Sequence, residues 1–353
     1  MPDLVIAGAG MAGLVAAAHA RARGARVVVH EKGDRLGGSM RLSSGVIWRY
    51  RELARFQQEC PGGDEALQRL IHERLEGDLR WLIELGARVH QPTSGNPDTT
   101  GVQFDTSSLT TTLAARAGEI RSGQPLLELP DRVPVILATG GFPASRELVR
   151  ENITPHADSM IVRANRWSTG DGLHLGIVAG ADTTDALGEF YGRAMPAPPA
   201  IVGETDFVSL TQLYAQHAAI EGPSGDRFVS RTWSEIDVVQ WMAQQRDARA
   251  RFLVPVCQLA TRVRNRTVGQ MIDAAEVAGA SVSRTNDTVT IDVVAGITST
   301  LGGLRADTNA QVAPAVFSAG SDVGGIATGG YASGLAAALV FGRIAADAAL
   351  GVG

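Results

Sequence analysis

Lysine is almost missing from this chain of 353 residues: Lys32 stands alone, and arginine carries nearly all of the remaining positive charge. With a formal net charge of −5, no basic tract is present to follow a nucleic-acid backbone and no acidic tail to act as a solvating arm. Cysteine is scarce as well. Cys60 and Cys257 form neither a C-x-x-C pair nor a cluster with histidine, which excludes a zinc site and a disulfide framework. Free thiols in a reducing, cytoplasmic compartment are expected. No apolar run reaches the roughly 20 residues of a membrane-spanning helix. The run "SGLAAALVFGRIAADAALG" at 333–351 is interrupted by Arg343 and Asp347 and predicts a buried helix. A strand starts almost at once, so no signal peptide is expected.

What the chain does have is strand, glycine turn and helix in succession. "DLVIAGAG" reads as a buried strand entering a turn, "MAGLVAAAHARARG" as a helix ended by Gly24, and "ARVVVHE" as a second strand. This βαβ unit predicts a parallel sheet. Apolar spacing predicts helices over 47–59, 64–85 and 108–118, with a polar loop over 91–107. "VPVILATGG" reads as a third strand and "TGDGLHLGIVAGA" as a loop opening a helix. After the proline-rich "AMPAPPA" the strand–glycine pattern stops. Residues 186–288 read as an inserted domain, flanked by a dinucleotide-type domain made of 1–185 and 289–353.

The sharpest motif is Gly8-x-Gly10-x-x-Gly13. The first glycine permits a tight turn, the second lets backbone approach a pyrophosphate, and the third lets helix and strand pack closely. The helix N-terminus offers free N–H groups to phosphate. Glu31, ending the second strand, can accept hydrogen bonds from a ribose hydroxyl and would repel a 2′-phosphate. That much suits NAD or FAD. Three further stretches favour FAD as a set: "EKGDRLGG" directly after the strand, "ILATGG" at 136–141, and "SAGSD" at 318–322 with Asp322 at a strand end. No second strand–GxGxxG–helix unit is present to bind NAD(P)H.

"GGSMRLSSGVIW", "ILATGGF", "STGDGLHLGIVAGA", "SGDRFV", "LGGLRAD" and "FSAGSDVGG…GLAAALVFGRIA" together resemble the fumarate reductase/succinate dehydrogenase flavoprotein family, in the order that family has them. The family includes the 3-ketosteroid dehydrogenases and tricarballylate dehydrogenase. The resemblance implies an α/β fold: a Rossmann-like FAD-binding domain with a parallel sheet, an inserted α+β capping domain, and a small-molecule substrate between cap and isoalloxazine. Carried over by position, the FAD contacts are Gly8, Gly10, Ala12, Gly13, Glu31, Lys32, Gly38, Ser39, Ser44, Gly45, Thr139, Gly140, Asp171, Asp322, Gly334 and Leu335. Ser39 and Met40 stand where covalent members have a histidine, so the FAD is expected to be non-covalent.

The chain departs from the family where a dicarboxylate would be held. Glu235, with Arg231 nearby, takes the place of the proton-delivering arginine; Tyr331 takes that of the carboxylate-clamping arginine; Thr298 or Ser299 and Met195 replace histidines. A dicarboxylate without those cations would be buried unpaired, at a cost of several kcal/mol per charge. The reading therefore turns from fumarate toward the ketone-desaturating branch, working by desaturation or the reverse ene reduction beside a carbonyl on a largely apolar, cyclic substrate. Tyr331 and Tyr191 are the available phenols, with Arg193, Glu235 and His217 as further candidates; the branch's own late tyrosine is Ala327 here. A flavin oxidase or hydroxylase using oxygen, and a non-catalytic flavoprotein, stay open as alternatives. No metal is implied, and the electron acceptor is not named by any motif. The segment between the 108–118 helix and "VPVILATGG" is short for the family, which thins the adenine side.

Overall fold

A computed structural model of the chain describes residues 1–229 and 235–352. Two compact units are present. The first comprises Met1–Ser145, Asn165–Glu189 and Ser299–Gly353; the second comprises Arg146–Ala164 and Phe190–Thr298.

The first unit is built on β1 (Leu4–Ala7), α1 (Met11–Ala22) and β2 (Val27–Glu31). β1 and β2 pair in parallel, Leu4 opposite Val27 through Ala7 opposite His30. Val135–Leu137 and then Val316–Ser318 extend the sheet on the other side of β1, and Glu119–Ser122 extends it beyond β2, all in parallel; Gln311–Ala313 closes one edge antiparallel. β1 is wholly buried, as a strand covered on both faces must be. The helix expected from the small-residue run is Gly334–Ala349, whose buried face from Ala336 to Ala346 packs on α1.

Two sequence expectations fail here. Residues 46–50 form a strand, Val46–Tyr50, and only Leu53–Glu59 is helical. The stretch carries Val, Ile, Trp and Tyr, side chains that suit a pleated surface. Its partner is Thr99–Phe104, also a strand, inside the segment expected to be a polar loop; Val46 lies opposite Gln103 and Tyr50 opposite Thr99.

The second unit is organised by one long strand, Thr288–Thr300. Arg249–Pro255 and Val282–Arg284 pair with it antiparallel, and Ile161–Val162 pairs with it in parallel at Gly296 and Ile297. The boundaries therefore move from the expected 186–288. Residues 146–164 cluster with this unit because Ile161–Val162 joins its sheet, and because Thr154 Oγ1 donates to the carbonyl of Ala243 at 2.5 Å. Among the described residues no helix is long and apolar enough to cross a membrane.

Candidate functional site

The β1–α1 turn has the geometry its glycines imply. Gly8 has φ +102°, and a Cβ there would lie 2.2 Å from the carbonyl oxygen of Ala138. A Cβ on Gly13 would lie 1.9 Å from the Gly8 carbonyl oxygen, so this glycine serves helix–strand packing. Gly10 differs: the nearest atom to its Cβ position is Gly38 Cα at 4.0 Å, which leaves its surface open. The Gly37 N–H donates to the carbonyl of Ala9 at 2.8 Å, so the two glycine turns lie side by side. Ala12, by contrast, packs against the Gly320 turn.

Glu31 is 5% exposed. Its Oε2 accepts the Ala9 N–H at 2.7 Å and its Oε1 the Gly33 N–H at 2.6 Å. A carboxylate oxygen has two lone-pair directions, so one N–H on each leaves one for a ribose hydroxyl. The open Gly10 backbone, the adjoining Gly38 and the Glu31 carboxylate thus fit the phosphate and ribose of a dinucleotide. Lys32 Nζ donates to Thr169 Oγ1 at 2.6 Å and pairs with Asp171 at 3.0 Å, and Ser39 Oγ accepts the Asn165 N–H at 3.0 Å.

Other expected FAD residues are committed within the fold. Asp322 is 1% exposed, and its carboxylate accepts the N–H groups of Thr139 and, at 2.8 Å, Gly141, as well as the Thr139 hydroxyl at 3.1 Å. Burial pushes this carboxyl above its usual range, against the pull of those N–H donors. Its partners stitch the "SAGSD" turn to the "ATGG" turn. Gly140, at φ +93°, faces Ser168 Oγ. Gly45 has φ +74°, and a Cβ there would lie 2.2 Å from the carbonyl oxygen of Phe104; Ser44 is exposed beside it, its carbonyl bonded to Gln103. Gly334 and the half-buried Leu335 open the last helix under the Ser333 cap; the Cβ position of Gly334 has nothing within 4 Å.

Tyr331 belongs to an aromatic wall in the first unit. Its ring centroid is 5.4 Å from that of Trp48, which meets Tyr50 at 5.3 Å, which in turn meets Phe56 at 5.6 Å. The Tyr50 hydroxyl donates to the Tyr331 carbonyl at 2.8 Å. Burial raises the pKa of that hydroxyl, which keeps it a donor. The preceding turn is tied down as well: the Gly329 N–H donates to Glu189 Oε2 at 2.7 Å, and a Cβ on Gly330 would lie 1.7 Å from the Glu59 carbonyl oxygen. Cys60, beneath it, is buried and pushed up to about 12 by burial, which makes its thiol inert at neutral pH. Trp48 enters the sequence reading only as the end of "GGSMRLSSGVIW", and Tyr50 not at all; the aromatic spacing inside "GVIWRY" is the available signal.

Tyr191, Arg193 and Glu235 come together in the second unit. The Arg193 guanidinium, 6% exposed, lies over the Tyr191 ring at 5.0 Å. Glu235 Oε1 accepts the Ala215 N–H at 3.2 Å, while its buried Oε2 has no hydrogen-bond partner among the described residues. Burial raises the pKa of Glu235, and the charge of Arg193 opposes the rise. A cavity of ≈290 Å³ lined by Ala215, Ile220, Phe228 and Val238 adjoins this carboxyl. Tyr214, buried in the same unit, donates to Gln212 Oε1 at 2.7 Å. His217 is half-buried and sits in a short turn with Gln216 against it; Arg231 lies outside the described residues.

A family model described as FAD binding domain matches residues 3–121 and 100–335. Fumarate reductase (cytochrome) of Shewanella frigidimarina is 24% identical over 235 residues, covering 52% of this chain and 40% of that protein. The chain thus spans well under half of that curated relative. Among solved structures, 3-ketosteroid-Δ4-(5α)-dehydrogenase from Rhodococcus jostii RHA1 is 19% identical, with a TM-score of 0.73 over 99% of this chain and 96% of that one. The 3-ketosteroid Δ1-dehydrogenase from Sterolibacterium denitrificans is 12% identical, with a TM-score of 0.74 over 100% of each. At such identities the likeness is one of fold: an α/β flavoprotein fold with a parallel sheet.

Proposed function

The chain belongs to the FAD binding domain family, which makes FAD its cofactor, and from that premise we propose a FAD-dependent oxidoreductase that desaturates, or in reverse reduces, the carbon–carbon bond beside a carbonyl on a largely apolar cyclic substrate. The observation that carries this reading is the aromatic wall around Tyr331, which offers one phenol where a dicarboxylate enzyme would need cations. Bound FAD supplies the two-electron acceptor or donor.

Tyr331 donates a hydrogen bond to the substrate carbonyl and stabilises the negative charge that develops on its oxygen. Tyr191, Arg193 and Glu235 serve proton transfer: the raised pKa of Glu235 lets it hold a proton nearer neutral pH, and Arg193 moderates that shift. The two named solved relatives act on 3-ketosteroids, and a steroid-sized ketone is the substrate class this reading favours. Cys60 and Cys257 are both free, which supports a reducing, cytoplasmic setting. The electron acceptor is left to experiment.

Anaerobic titration of the purified flavoprotein with saturated and unsaturated cyclic ketones, steroids, succinate and amines tests the proposal through the visible flavin band. Bleaching by a saturated 3-ketosteroid but not by succinate is expected. Reoxidation of chemically reduced flavin by an unsaturated ketone alone would set the direction as reduction. Bleaching by succinate or by amines would overturn the proposal. The Tyr331→Phe variant is expected to lose about 10²- to 10³-fold in kcat, and turnover near that of the wild type would remove Tyr331 from the mechanism.

A further inference from the structure

Beside the carboxylate that ends β2 stands an indole. A Cβ built on the buried Gly33 would lie 2.6 and 2.9 Å from Cδ1 and Nε1 of Trp167 and 3.0 Å from Glu31 Oε1, so Trp167 and the ribose-type carboxylate flank the same glycine. Trp167 is half-buried. The Arg166 guanidinium lies over its ring at 5.1 Å and reaches Asp34 at 3.7 Å, which covers one face.

The loop that carries this indole is fixed from two sides. Asn165 N–H donates to Ser39 Oγ at 3.0 Å, and Lys32 Nζ holds Thr169 at 2.6 Å and Asp171 at 3.0 Å. Within the loop, the Ser168 N–H donates to the Asn165 carbonyl and the Thr169 N–H to that of Trp167, each at 3.0 Å. Both outside anchors come from the stretch "EKGDRLGGS" that begins with Glu31. The indole is therefore held in place before any ligand arrives, and a pre-ordered aromatic adds affinity without an ordering cost.

We propose that Trp167 is the stacking surface for the adenine of FAD, with Arg166 backing the opposite face of the indole. A ribose bonded to Glu31 carries its base from the adjoining carbon, and Gly33 leaves that space to the indole edge. The chain thereby covers the adenosine half of the cofactor with one loop residue, although the segment between Glu119–Ser122 and Val135–Leu137 is short. The lone lysine of the chain anchors the loop through Thr169 and Asp171.

The test uses full-length protein stripped of flavin, with FAD, ADP and FMN as probes. ADP carries the adenosine half alone, and FMN lacks it. The Trp167→Ala variant is expected to weaken FAD and ADP about 10- to 100-fold and to leave FMN unchanged, while Trp167→Phe keeps most of the affinity. ADP is also expected to quench the tryptophan emission of the wild type and to lose that quenching in Trp167→Phe, a reading that holds if the alanine variant does not fold. FAD and ADP affinities unchanged in Trp167→Ala, or quenching that persists in Trp167→Phe, would overturn the assignment of Trp167 alone. The inference rests on FAD as the cofactor: wild-type protein that binds neither FAD nor ADP would overturn both.

Discussion

In each unit burial shifts the pKa of one titratable side chain, and the two respond to pH in opposite directions. In the first unit His19, on α1, is 2% exposed and faces the C-terminal helix. Its Nε2 meets Asp347 Oδ1 at 3.0 Å, and its Nδ1 faces Arg23 Nη1 and Arg343 Nε, each at 3.2 Å. Arginine can only donate, so Nδ1 accepts and the single ring proton sits on Nε2 toward Asp347. Burial is the main cause that lowers this pKa to about 4. In the second unit burial raises the pKa of Glu235. Burial disfavours the charged form of the base and of the acid alike. The difference lies in what is left over: both ring nitrogens of His19 are engaged, whereas Glu235 keeps one buried oxygen without a partner among the described residues. One cluster is a saturated strut, and the other keeps an oxygen to spare.

The largest effect is expected where a buried carboxylate is fully used. Asp322→Ala orphans the N–H groups of Thr139 and Gly141, each costing about 1–3 kcal/mol, and separates two turns of the first unit. A loss of about 3 kcal/mol or more in denaturant unfolding is expected, together with loss of bound FAD. Retention of both would mean that the stitch between the turns is dispensable.

His19 comes next. A histidine with a lowered folded pKa contributes stability above its unfolded pKa, and that contribution fades as pH falls through the folded value. The stability difference between wild type and His19→Gln is expected to shrink by about 3 kcal/mol from pH ~6.5 down to about 4. Asp347, Arg23 and Arg343 face the ring, and Asp78, which pairs with Arg343 and is raised by burial, shifts the other way. The comparison with the glutamine variant keeps those neighbours in both proteins. A difference that does not change with pH would mean that His19 is charged in the fold.

Glu235 supplies the mirror image. A carboxyl with a raised folded pKa contributes most below its unfolded pKa of about 4.3, and the contribution is lost as pH rises through the folded value. Wild type should therefore lose stability relative to Glu235→Gln as pH rises, the reverse of the histidine trend. The same slope sign in both variants would break the comparison between the units.

The legible part of this molecule is the part whose partners are close in sequence. Gly8, Gly10, Gly13 and Glu31 fall within one βαβ unit, and their spacing carries the geometry. Asp322 was visible as a residue but not in its task, because the N–H groups it serves belong to a turn far back in the chain. His19, Asp78 and Arg343 sit on three separate helices, and each taken alone looks like an ordinary surface or capping residue. Residues 47–50 read as helix from sequence because short apolar runs fit either period. That error hid Trp48 and Tyr50, whose strand partner lies some fifty residues on.

Tyr50 gives the smallest expected effect and the finest test of the contrast between strut and reactive group. Its hydroxyl touches the Tyr331 carbonyl and not the phenol, so Tyr50→Phe removes one hydrogen bond and keeps the ring contacts with Trp48 and Phe56. The stability cost is expected to be about 1 kcal/mol. If Tyr331 polarises a carbonyl, its backbone anchor matters in the transition state more than in binding. Tyr50→Phe should then lower kcat for a 3-ketosteroid several-fold with little change in KM, and should add no further loss in a Tyr331→Phe background. Equal loss in both backgrounds would make Tyr50 part of the scaffold alone, leaving the aromatic wall a strut like His19 and the chemistry to Glu235 and its neighbours.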